Sequence, residues 1–149
     1  MLREPFTSEA NMKGLTVRQP WASLIAMGYK TIEARTWTTD YRGPLLIISS
    51  KTGLAEFEGF KLPRGYALAT CNLVDVHRFT EDDLEPAYME KMPSKPHYAW
   101  VLEDITELEP VTMTGKLKLF DVPEMELTAL DAKHGDHLYF FNGREPEED

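Results

Sequence analysis

The sequence predicts one α+β domain, a small mixed or antiparallel β-barrel with two or three short helices. Three observations lead there. About six apolar or alternating runs have strand character, few stretches show helical spacing, and the strand runs mostly follow one another without an intervening helix. A chain of 149 residues with 42% apolar and 11% aromatic content has the size and composition of one folded domain. The boundaries expected are an N-terminal tail over 1–11, the domain over 12–144 and an acidic tail over 145–149.

Leu15 and Val17 flank Thr16 in an alternating stretch that reads as a first strand. Pro20 then suits the first turn of a helix, Trp21, Leu24 and Ile25 fall on one apolar face, and Gly28 suits its end. From Thr31 the period becomes two, so Thr31, Glu33 and Arg35 share one strand face and Ile32, Ala34 and Thr36 the other. Arg42-Gly43-Pro44 marks a turn before Leu45-Leu46-Ile47-Ile48, a continuous apolar run that suits a central buried strand. Ser50 or Thr52 could cap a short helix through Phe57, and Leu62-Pro63-Arg64-Gly65 reads as another turn. Tyr66 to Phe79 has the character of one long strand bent near Asn72, and Thr80-Glu81-Asp82-Asp83-Leu84 opens a helix with acidic residues at its positive end. Pro93 and Pro96 break it before a strand at Tyr98–Leu102, and short apolar runs follow at Leu117–Val122 and Leu138–Phe141.

Composition removes several function classes. The single cysteine, Cys71, leaves no disulfide framework and reads as a buried inert thiol. No apolar run approaches the roughly 18 residues of a membrane span, and the expected location is cytoplasmic, away from a membrane. His134 and His137 are separated by a glycine-containing interval and have no third ligand nearby, so neither a metal site nor a cofactor is expected. There is no phosphate-binding glycine loop, nucleophile elbow or dinucleotide fingerprint. Net charge of −9 argues against a general DNA-coating protein, yet Lys13 to Arg64 holds eight basic and four acidic residues. If that segment forms one face, it can attract an anion while the rest restricts how a long polyanion approaches.

The run Val17-Arg18-Gln19-Pro20-Trp21-Ala22-Ser23-Leu24-Ile25, followed by Gly28-Tyr29-Lys30-Thr31-Ile32-Glu33-Ala34-Arg35-Thr36-Trp37 and Tyr41-Arg42-Gly43-Pro44-Leu45, closely resembles the ASCH domain. Gly65-Tyr66-Ala67-Leu68-Ala69-Thr70-Cys71-Asn72-Leu73-Val74-Asp75 is similar to that family's second motif. The resemblance covers most of Met12 to about Pro123. It implies a PUA-like barrel with a cleft between barrel and helix, and an RNA-related role. Some short members remove the acetyl group of 4-acetylcytidine, others are linked to ribonuclease activity, and those in coactivators resemble nucleic-acid binding modules. Function among these is decided by the site.

The family pattern implies that Lys30 lies in the cleft, as a phosphate contact or, with a lowered pKa, a base; on its own it reads as a solvated charge. In the amidohydrolase branch a threonine nucleophile stands three positions after the lysine. This chain has Glu33 there, a residue that can activate water but does not replace the hydroxyl, while Thr31 and Thr36 are displaced. Glu33 and Arg35 are either a surface ion pair or a base-and-phosphate reader. Trp21 reads as core and Trp37 as the stacking platform. Arg18 and Gln19 either line an anion pocket at the helix start or cap it, and Tyr41 and Arg42 either rim the cleft or close their own turn.

Three functions fit these residues. One is an RNA or nucleotide binding module using Arg18, Gln19, Lys30, Glu33, Arg35, Trp37, Tyr41 and Arg42. Another is a hydrolase of a modified nucleoside, or a ribonuclease, with Lys30 and Glu33 as its catalytic acid/base pair. The last is a protein-interaction domain using the acidic stretch Glu81–Glu90.

Overall fold

The computed structural model describes residues 4–130. The expected acidic tail at 145–149, the Leu138–Phe141 run and the His134/His137 pair lie outside the described residues. One six-stranded sheet dominates, built from β2 (Lys13–Gln19), β3 (Ile32–Arg35), β4 (Gly43–Gly53), β7 (Tyr66–Arg78), β8 (Tyr98–Thr112) and β9 (Phe120–Asp121). Its order is β3-β8-β7-β4-β2-β9, antiparallel except for the parallel pair β2 and β4. Two small ribbons complete it: β1 (Phe6–Thr7) with β10 (Glu126–Leu127), and the hairpin of β5 (Glu56–Phe57) with β6 (Phe60–Lys61). Phe6–Thr7 therefore pairs with β10 inside the stretch expected as a tail.

The sheet is open. No ladder joins β3 to β2 or β9 among the described residues, where a closed barrel was expected. Helix is scarcer than expected as well: one α-helix, α1 (Trp21–Ala26), and one 3₁₀ turn at Glu81–Asp83 stand among the described residues. The expected helix from Ser50 to Phe57 is instead the end of β4 and the β5–β6 hairpin, because Gly53 and Gly59, at φ of +103° and +86°, supply left-handed turns in which a helix cannot continue. The acidic segment after Thr80 stays a single turn. Asp83 accepts from the Thr80 backbone N–H and hydroxyl, and the chain then turns through Pro86, which a longer helix would have to carry in its interior.

Sheet alternation explains the core. Leu15 and Val17 of β2, Leu45 and Ile47 of β4, Leu73 of β7 and Trp100 and Leu102 of β8 meet on one face, closed by Ala22, Ile25 and Ala26 of α1. The opposite face is covered twice. Leu46, Ile48 and Leu108 lie beneath the return segment at Met113–Leu127, and Ile32 and Ala99 lie beneath Phe79–Met89. Leu45 to Ile48 is thus apolar on both faces because both are covered, as the continuous run suggested.

Candidate functional site

The short helix places the first charged residue. It ends on Gly28, at φ of +86°, where the Gly28 N–H donates to Ile25 O and the Tyr29 N–H to Leu24 O, a Schellman closure. The chain then turns directly inward, so Lys30 is only 3% exposed. Its ammonium donates to Ile32 O at 2.8 Å and Ala87 O at 2.7 Å, and lies 3.5 Å from Glu33 Oε1. Those contacts account for all three of its N–H donors. Burial pulls the lysine below its ordinary pKa, while the Glu33 carboxylate opposes that shift.

Glu33 is 8% exposed and bridges two cations. Its Oε2 accepts from Arg35 Nε at 2.9 Å, and Arg35 Nη2 donates to Thr16 O at 2.7 Å. Because Thr16 is on β2 and Arg35 on β3, this guanidinium crosses the gap between two strands that no ladder joins. Trp21 stands at the other end of the row, its ring centroid 5.6 Å from Lys30 Nζ. Trp21, Lys30, Glu33 and Arg35 therefore form one row, whose Arg35 end crosses the gap. Arg35 keeps 22% of its side chain exposed, and a carboxylate with about four acceptor sites can take further donors.

Several expected residues lie elsewhere. Gln19 is buried, its amide donating to Ser23 Oγ and Pro63 O, each at 2.8 Å, while its Oε1 accepts from the Ser23 N–H; it ties α1 to the β6–β7 turn. Arg18, on the alternate face of β2, is exposed. Tyr41 donates to Pro44 O at 2.6 Å and Arg42 to Thr39 O and Tyr41 O, bonds that close their own turn. Trp37 sits edge-on to the core residue Trp100, centroids 4.7 Å apart, with Lys118 Nζ 5.1 Å from its ring. Trp21, expected in the core, is 39% exposed. The buried face of α1 is Ala22, Ser23, Ile25 and Ala26, because small side chains let the helix sit close against the sheet and turn the large indole outward.

The sequence reading missed the contributions of Thr16 and Ala87. Both act through carbonyl oxygens, for which side-chain identity carries no signal. A groove of about 650 Å³ runs beside Pro86 and is lined by Tyr29, Thr31, Tyr88, Glu85 and Glu90. Its two carboxylates make it unsuited to an anion. Cys71 is buried, which pushes its thiol up to about 12, and it supplies no nucleophile at neutral pH. No group of histidine, cysteine and acidic residues among the described residues could hold a metal ion, and no helix among them is long and apolar enough to cross a membrane.

Comparison with known proteins identifies the family and the fold. Residues 15–112 match the family described as the ASCH domain. Activating signal cointegrator 1 of Homo sapiens is 41% identical over 54 residues, which are 36% of this chain and 9% of that protein; the Mus musculus protein of the same name is 47% identical over 36 residues, 24% and 6% respectively. This chain thus aligns with less than a tenth of either relative. The crystal structure of ASCH from Zymomonas mobilis aligns with a TM-score of 0.56 and 12% identity, covering 75% of this chain and 87% of that one. A single-substitution variant of it gives 0.58 with 90% of its chain covered, a likeness of fold. With the chain from Leu15 in β2 through the end of β8 matched, this protein belongs to the ASCH domain family.

Proposed function

We propose that this chain is an RNA-binding module that takes one nucleotide of a single strand into the gap between β2 and β3. The observation that carries this reading is an exposed indole, Trp21, beside a buried charged row in a gap that strand pairing leaves open among the described residues. An unstacked base can lie on Trp21, its exocyclic amine donating to Glu33 while Arg35 holds a carbonyl or phosphate oxygen. Glu33 already stands between Lys30 and Arg35 before a ligand arrives. Membership of the ASCH domain family, for which the sequence resemblance implies an RNA-related role, supports this reading.

A titration of an oligocytidylate at low salt tests the proposal. Trp21→Ala should weaken binding by about 1–3 kcal/mol, the usual worth of a base on an aromatic ring. Unchanged affinity in both Trp21→Ala and Arg35→Gln would remove the gap as the site.

Burial of Lys30 beside Glu33 favours a second reading, hydrolysis of a modified nucleoside or an RNA phosphodiester. A lysine held below its usual pKa can act as a base, with Glu33 orienting it. Turnover of 4-acetylcytidine or RNA that disappears in Glu33→Gln would establish this chemistry, and absence of product from both substrates would exclude it.

A further inference from the structure

Four exposed cations on another part of the surface join through one closed ring of contacts. Arg18 lies against Gly53, where a Cβ added to the glycine would stand 3.4 Å from its own Cβ. Arg64 Nη1 donates to Gly53 O at 3.2 Å. Its neighbour Gly65 lies against the Lys51 stem, and Lys51 Nζ donates to Thr114 Oγ1 at 3.5 Å. Two residues later Lys116 exchanges hydrogen bonds with Thr16, whose hydroxyl donates to Lys116 O and accepts from its N–H. Thr16 returns to Arg18 on the same face of β2.

Nothing acidic belongs to this ring. The nearby Glu56 faces Lys61 across the β5–β6 hairpin, and among the described residues none of the four cations has a carboxylate partner. Exposed cations without carboxylate partners on a chain of net −9 are open to an anionic ligand. Arg35 bonds to the carbonyl of the same Thr16 whose hydroxyl meets Lys116, so the patch adjoins the gap through one residue.

We propose that Arg18, Lys51, Arg64 and Lys116 form a phosphate track for the backbone of a single-stranded nucleic acid, continuing from the gap. A single strand fits because the four cations follow one another along linked contacts and the rest of the chain is acidic, which disfavours the broad approach of a duplex or an anionic membrane. The partner is then a polymer rather than a free nucleotide. This extends the proposed function but rests on separate residues.

Salt dependence tests it. Four phosphate contacts on a single strand imply an affinity loss of about 50-fold between 50 and 200 mM salt, and Arg18→Gln with Lys51→Gln should reduce that to about sevenfold. Both residues are exposed, and an unchanged melting temperature confirms that the variant folds. The same double variant should bind cytidine monophosphate as the natural chain does. An unchanged salt dependence for an oligocytidylate of ten residues would overturn the track. So would binding to phosphatidylserine vesicles with no binding to the oligonucleotide. If the monophosphate fails to bind while the oligonucleotide keeps a salt dependence that the double variant halves, the gap is lost as a base site and the track stands.

Discussion

Two groups of cations from the same stretch of sequence have opposite fates. Lys30 and Arg35 are drawn into the row beside β3, where backbone carbonyls and one carboxylate neutralise them. Arg18, Lys51 and Arg64 stay in water without a carboxylate among the described residues. Both groups contribute to the same positive balance between Lys13 and Arg64. Buried cations hold the architecture, and exposed ones are available to a long-range partner. Charge density along a sequence therefore does not by itself say where an anion binds.

Breaking the buried group should cost most. Lys30→Ala leaves Glu33 without one of its cations and two carbonyls without their donor, so chemical denaturation should show a loss of about 3–5 kcal/mol. Arg35→Ala removes the only bond described between β3 and β2 and should cost about 1.5–3 kcal/mol in the same assay. Trp21→Ala should separate binding from folding, lowering RNA affinity with little change in melting temperature. At the other extreme, Arg18→Gln should alter stability by no more than about 0.5 kcal/mol.

Titration sharpens the contrast further. Lys30 has a folded pKa below the ordinary 10.5, so between those values the unfolded chain binds more protons and stability rises with pH. His77 does the reverse. Hydrogen bonds to Asp75 at 2.7 Å and Asp83 at 3.0 Å raise its pKa above 6.5, so its contribution is full below 6.5 and lost as pH rises through the folded value. Melting temperatures from pH 6 to pH 8 should fall less steeply in His77→Gln than in the natural chain, and an identical profile would refute the assignment.

Much of the strand pattern was legible because alternation reports directly on burial. Ile32 to Arg35 forms a strand with Glu33 and Arg35 on one face, and Leu45 to Ile48 forms the covered central strand. The missing helices had capping residues, Ser50 and Thr52, but lacked the apolar face that makes a short helix stable, and β4 continued through them because its partner β2 runs alongside as far as Gln19. Site residues were harder. Local spacing joined Lys30, Glu33 and Arg35 correctly, since all lie within six residues of one turn and strand. It could not show that Trp21 faces water while Trp37 meets Trp100, because that depends on how closely α1 packs on the sheet. Nor could it join Thr16 to Lys116, which are 100 residues apart.

A base site between β2 and β3 is tested most directly by a nuclear magnetic resonance titration with cytidine monophosphate, following the Trp21 indole N–H and the Arg35 Nε–H. Both signals should move together and saturate, while the Arg18 Nε–H stays nearly fixed. Shifts confined to Tyr29 and Tyr88, or none at Trp21 and Arg35 at saturating nucleotide, would contradict a base site between β2 and β3.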